Sequence, residues 1–108
     1  MARVDLQDFV KMGKLFETYG ALLNEERQKI MSDYFEFNMT LAEIAESKGV
    51  SRQAILDAVE KSSQKLQDYE KTLHLVEKNE KLRDSLEKIV ETAPQDIKEK
   101  LNKILKEL

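Results

Sequence analysis

The chain has 108 residues, of which 18 are basic and 21 acidic, so its formal charge at neutral pH is −3. That length supports one modest hydrophobic core and excludes a multi-domain enzyme. With 41% hydrophobic and 36% charged residues, apolar surface suffices for one core inside a solvated exterior, so the sequence predicts a single helical domain over residues 1–108. Three Gly, one Pro and 6% aromatics, with few β-branched residues, argue against sheets and for an all-α fold. The absence of cysteine removes disulfides, thiolate metal sites and thiol nucleophiles. No apolar run approaches the ~20 residues of a membrane span, and the start lacks a signal peptide's apolar stretch, so a cytoplasmic protein is expected. The acidic balance also argues against a protein that lives on phosphate contacts, because such domains usually show a Lys/Arg excess.

From Asp5 to about Leu23, the residues Leu6, Phe9, Val10, Gly13, Phe16, Gly20 and Leu23 recur at steps of three and four, the period of one buried helix face. Asn24 before Glu25 and Glu26 reads as an N-cap with carboxylates in the first turn, where free amides and the helix dipole favour them. The second helix carries Ile30, Met31, Tyr34 and Phe35 on its apolar face and fades near Asn38, a residue that tolerates the left-handed conformation. Thr40 and Glu43 fit a capping box for a short third helix with Leu41, Ile44 and Ala45 inside. Gly49 ends it, Val50 is expected to plug inward, and Ser51 offers the next N-cap hydroxyl. Phe37 and Met39, at the exit of the second helix, are expected beneath this corner, the alternative being an exposed protein-binding patch.

From Arg52 no breaker appears until Pro94. Ile55, Val59, Ser62, Leu66, Tyr69, Leu73 and Val76 alternate steps of four and three, a heptad seam that usually faces a partner helix. From Val59 to Val76 the seam can pack on the first helix, pack against the last helix or coil with another subunit. One short first helix cannot cover so long a line, which favours a homodimer through the fourth helix, with residues from about 66 to 108 serving dimerisation or packing. The seam slips after Val76 and resumes at Leu82, Leu86, Ile89 and Ala93, which predicts a break between about Lys78 and Lys81. Thr92 to Gln95, containing Pro94, then caps a last helix striped by Ile97, Leu101, Ile104, Leu105 and Leu108.

The stretch from Thr40 to Val59 carries the information about function. A helix-turn-helix needs a small residue at the close crossing, a Gly at the turn, an apolar plug, and an apolar inner face on the second helix. Ala45, Gly49, Val50 and Ile55 with Ala58 or Val59 supply these at workable spacing, in a helix-turn-helix core of about residues 24–66. The outward start of the following helix presents Ser51, Arg52, Gln53, Leu56 and Asp57 as candidate groove-facing residues. Arg and Gln can bond base edges, and a helix N-terminus accepts phosphate. Between Thr40 and Lys61, however, Lys48, Arg52 and Lys61 face Glu43, Glu46, Asp57 and Glu60, so useful DNA affinity needs a dimer or recruitment.

Leu22 to Ile30, then Tyr34, then Thr40 to Glu46, then Gly49 to Ile55 together resemble region 4 of bacterial sigma factors. With Leu15 to Leu23 before the motif and Lys65 to Leu75 after it, about two-thirds of the chain resembles more closely the YlxM family of sigma-region-4-like bacterial proteins. The resemblance implies a DNA-binding regulator associated with the signal recognition particle pathway, with recognition falling on Ser51, Arg52, Gln53 and nearby exposed positions. It implies no enzymatic activity. The alternative it leaves open is a protein or ribonucleoprotein adaptor that binds the particle or its GTPase without contacting DNA.

The remaining signals point away from catalysis. His74 is the one histidine, four residues after Glu70 and three before Glu77, and reads as a solvated ion-pairing side chain. There is no Gly-rich phosphate loop, and no catalytic residue, cofactor or metal is expected.

Overall fold

The computed structural model describes residues 6–108. They form α1 (Leu6–Tyr19), a single 3-10 turn (Gly20–Leu22), α2 (Glu25–Phe35), α3 (Leu41–Lys48), α4 (Arg52–Leu73), α5 (Leu75–Thr92) and α6 (Gln95–Glu107). No strand occurs among the described residues, and the fold is all-α with a helix-turn-helix, a long fourth helix and a C-terminal helix. The expected helix start at Asp5 lies outside the described residues. The helices gather into two compact units, divided between Leu73 and His74.

In the first unit α1, α2 and α3 all pack on α4. Its core is Leu15, Phe16, Tyr19 and Leu23 from the first segment, Ile30 and Met31 from α2, Leu41, Ile44 and Ala45 from α3, and Ile55, Ala58, Val59 and Leu66 from α4. Met31, Ile44 and Leu66 are completely enclosed, and burying a side chain of this size contributes about 1.5–3 kcal/mol. The inner faces of α3 and of the start of α4 are those expected from the sequence. Of the face expected on the first segment, Phe16, Gly20 and Leu23 are buried and Phe9 and Gly13 half-buried. Leu15 and Tyr19 are buried as well, while Leu6 and Val10 are exposed. The 3-10 turn has its own constraint: a Cβ at Gly20 would sit 2.7 Å from the Phe16 ring.

The heptad seam is largely consumed inside this unit. Ile55, Val59, Ser62 and Leu66 are buried, because α2 and α3 share with α1 the task of covering α4. The premise that one short helix must cover the line alone is therefore corrected. Two polar contacts extend the closure along α4. The Arg27 guanidinium on α2 donates to the Ala58 carbonyl at 3.2 Å and to Ser62 Oγ at 3.4 Å. The Tyr19 hydroxyl donates to Glu70 at 2.5 Å, and its ring lies 5.9 Å from that of Tyr69.

The break after α4 also comes earlier than expected. His74 takes φ 55° and ψ 28°, and the Lys78 amide donates back to its carbonyl at 2.9 Å to open α5. A left-handed residue interrupts the helix at a cost of about 1–2 kcal/mol and resets the phase of the apolar positions. Lys78 to Lys81, where the slip was read, lies within continuous α5.

The second unit, His74–Leu108, is a helical hairpin of α5 on α6. Ala93 is extended, as the residue before a proline should be, and Pro94 opens α6, whose Lys98 amide donates to the Pro94 carbonyl at 2.8 Å. No residue of either helix is fully buried. Leu86, Val90, Leu101 and Leu105 are half-buried, whereas Leu82, Ile89, Ile97 and Ile104 are exposed. No described helix is long and apolar enough to cross a membrane.

Candidate functional site

The corner between α3 and α4 is built from local bonds that the sequence encodes one by one. Thr40 Oγ1 accepts from the Glu43 amide at 3.1 Å, and Glu43 Oε1 accepts from the Thr40 amide at 3.0 Å, closing the capping box. The Thr40 backbone amide, and after it the Thr40 hydroxyl, hold the Glu43 carboxyl below its ordinary value. At the other end Gly49 adopts φ 69°, and its amide donates to Glu46 O while that of Val50 donates to Ala45 O at 3.0 Å. These bonds satisfy the last carbonyls of α3 and turn the chain sharply. Ser51 Oγ accepts from the Ala54 amide at 3.0 Å and so caps α4. Only Gly49, Val50 and Ser51 separate the two helices, the spacing of a helix-turn-helix.

Four of the five candidate residues lie on the open side of this corner. Ser51, Arg52, Gln53 and Asp57 are exposed, and Leu56 is half-buried. Gln53 Nε2 donates to Asp57 Oδ1 at 3.0 Å, one helical turn apart, so the carboxylate orients the amide. Arg52 makes no hydrogen bond or ion pair with the described residues, which leaves its fork of donors available. The expected inward plug is a correction. Val50 is 47% exposed, because the closing bonds of the turn use its amide while its side chain is left outside the Ile44, Ala45 and Ile55 core. Phe37 is likewise exposed and Met39 only half-buried, since Asn38, at φ 54°, turns the chain between them.

A family model described as "Putative helix-turn-helix protein, YlxM / p13 like" matches residues 6–108. The chain belongs to this family. A UPF0122 protein of Fusobacterium nucleatum is 36% identical to it over 103 residues, covering 95% of this chain and 97% of that one. A UPF0122 protein of Clostridium novyi is 38% identical over 86 residues, or 80% and 75% of the two chains, and one of Streptococcus gordonii 37% over 93 residues, or 86% and 84%.

In this YlxM/p13-like chain three features escaped the sequence reading. Arg27 belongs to a run that the eye takes as solvated charge, yet it reaches Ser62 across 35 positions. Glu70, expected near His74, instead takes the Tyr19 hydroxyl, while His74 Nδ1 pairs with Glu77 at 3.3 Å, both about half exposed. The third is a groove of about 420 Å³ in the first unit, bounded by the N-terminal half of α1, the end of α2 and the outer side of α4. Its floor is aromatic: the Phe9 ring lies 5.7 Å from Tyr34 and 4.9 Å from Phe35. Alternating apolar and polar positions on α4 hid it, because a groove is a property of two elements and not of one periodicity. No group of three or more His, Cys, Asp or Glu side chains suited to a metal occurs among the described residues.

Proposed function

We propose that this protein is a DNA-binding helix-turn-helix regulator, non-enzymatic, cytoplasmic and active as a homodimer. The observation that carries the reading is the exposed start of α4. Arg52 and Gln53 stand in its first turn, held outward by the left-handed Gly49 and capped by Ser51. In this reading Arg52 and Gln53 bond base edges in the major groove, Ser51 and the α4 amides meet a phosphate, and Leu56 and Asp57 lie one turn further along the same helix. The two compact units serve as one functional chain. The first presents the corner, and the second brings two copies together through Leu82, Ile89, Ile97 and Ile104.

The dimer is part of the mechanism because of charge. All of the net negative charge resides before His74, with 10 basic and 13 acidic residues there, so a single corner gains little from counterion release. Two linked corners raise the effective concentration of the second after the first has bound. The hairpin is suited to self-association: residues 74–108 carry eight basic and eight acidic side chains, so a second copy meets no net repulsion. Association with the signal recognition particle pathway follows from the family resemblance, and co-purification with the particle checks it.

The test is selection of bound duplexes from a random pool, followed by gel shifts at stepped salt with the full chain. Specific retardation that weakens with salt, and about tenfold or more with Arg52→Ala, is the expected result, since a bidentate base contact is worth roughly 1–3 kcal/mol. A pool with no enriched sequence, or retardation indifferent to Arg52→Ala, overturns the reading.

A further inference from the structure

We infer that the groove on the first unit is a docking site for a basic amphipathic helix of a partner protein. The groove lies along the same side of α4 as Arg52 and shares Leu56 with the corner, but its two carboxylates, Asp8 and Glu60, take no part in the DNA reading and separate the two in the test. Its α4 wall is lined from Leu56 to Gln67, three helical turns or about 16 Å. An elongated apolar trough of that length matches a helix laid along it and anchored at i, i+3 or i+4, and i+7. The floor supplies the anchoring chemistry. Phe9, Tyr34 and Phe35 form a ring cluster that the subunit leaves half-buried, with ring centroids 4.9 Å apart for Tyr34 and Phe35. Partly open aromatic clusters of this kind commonly carry most of the energy of a protein interface.

Charge selects the occupant. Asp8 stands on the α1 side and Glu60 on the α4 side, both exposed, with Gln64 and Gln67 beyond them and no Lys or Arg in the lining. A phosphate backbone is repelled there, and so is an acidic helix. Lys or Arg flanking the apolar stripe of an incoming helix meets Asp8 and Glu60 at the two edges, which fixes its placement and speeds its encounter. A second copy fits less well, because the first unit is itself acidic and the hairpin is neutral overall.

The experiment uses the full chain and two labelled synthetic helical peptides with the same leucine stripe, one with Lys and one with Glu at every other position. The readouts are fluorescence polarisation and amide chemical-shift mapping. The expected result is saturable binding of the Lys peptide and shifts at Phe9, Tyr34, Leu56 and Glu60. Affinity should fall at least tenfold in the surface double variant Asp8→Lys with Glu60→Lys, whose amide spectrum reports that the fold is intact. Equal binding of the Glu peptide, shifts confined to the α5–α6 hairpin, or an affinity indifferent to the double variant overturns the proposal. So does a groove whose shifts depend on protein concentration without peptide, since the occupant is then a second copy.

Discussion

Gly49 is the residue on which the corner turns, and its demand is purely conformational. A Cβ there would meet no heavy atom within 4 Å, yet at φ 69° any other side chain suffers backbone strain. Gly49→Ala is therefore expected to lower stability by about 1–2 kcal/mol without any clash, as read from a urea midpoint. Thr40→Ala removes the other end's cap and should lower stability by about 1 kcal/mol. The capping box also gives a pH signature. Glu43 is held below its ordinary value by Thr40, so its contribution is present above about pH 4.5 and is lost as pH falls through the lower folded value. Glu43→Gln should flatten the acid limb of the stability curve relative to the parent, and an unchanged limb counts against this account.

At the scale of elements, α4 is the member that the rest of the first unit closes upon. The Arg27 contact to Ser62 and Ala58 ties α2 to the middle of α4 where Ser62 is otherwise enclosed. Arg27→Ala removes the cross-helix donor to the buried Ser62 hydroxyl and should be destabilising by about 1–2 kcal/mol, more than Ser62→Ala. A double-mutant cycle should return a coupling of about 0.5–1 kcal/mol, whereas strict additivity would mean that the long Arg27 side chain is held by packing alone. The seam of α4 was legible as a seam. Its destination was not, since a 3.5-residue period is identical whether the covering helices come from the same chain or from another. The break at His74 was legible only as a slip in phase, displaced by several residues, because apolar positions report the phase on either side and not the residue that resets it.

Across the whole molecule the acid excess lies before His74, whereas exposed large apolar residues occur on both sides of it, Leu82, Ile89, Ile97 and Ile104 among them on the hairpin. A 35-residue hairpin with no fully buried side chain is below the size that usually folds unaided, which favours a partner for its open face. If the hairpin joins two copies as proposed, the parent sediments as a dimer, and replacing Leu82, Ile89 and Ile104 together by Ser shifts it to a monomer while leaving the helix-turn-helix folded. A monomeric parent, or a triple variant that sediments like the parent, counts against self-association through the hairpin. The sequence by itself determined the all-α class, the caps at Asn24, Thr40 and Ser51, the left-handed Asn38 and Gly49, and the inner faces of α3 and early α4, because each depends on residues within one or two turns of one another. Only the tertiary structure decided that α2 and α3 cover the α4 seam, that Val50 and Phe37 stay outside, that Arg27 reaches Ser62, and that α1, α2 and α4 leave a groove with acidic edges. Those outcomes depend on which helix lies over which face, a relation between distant segments that no local period records.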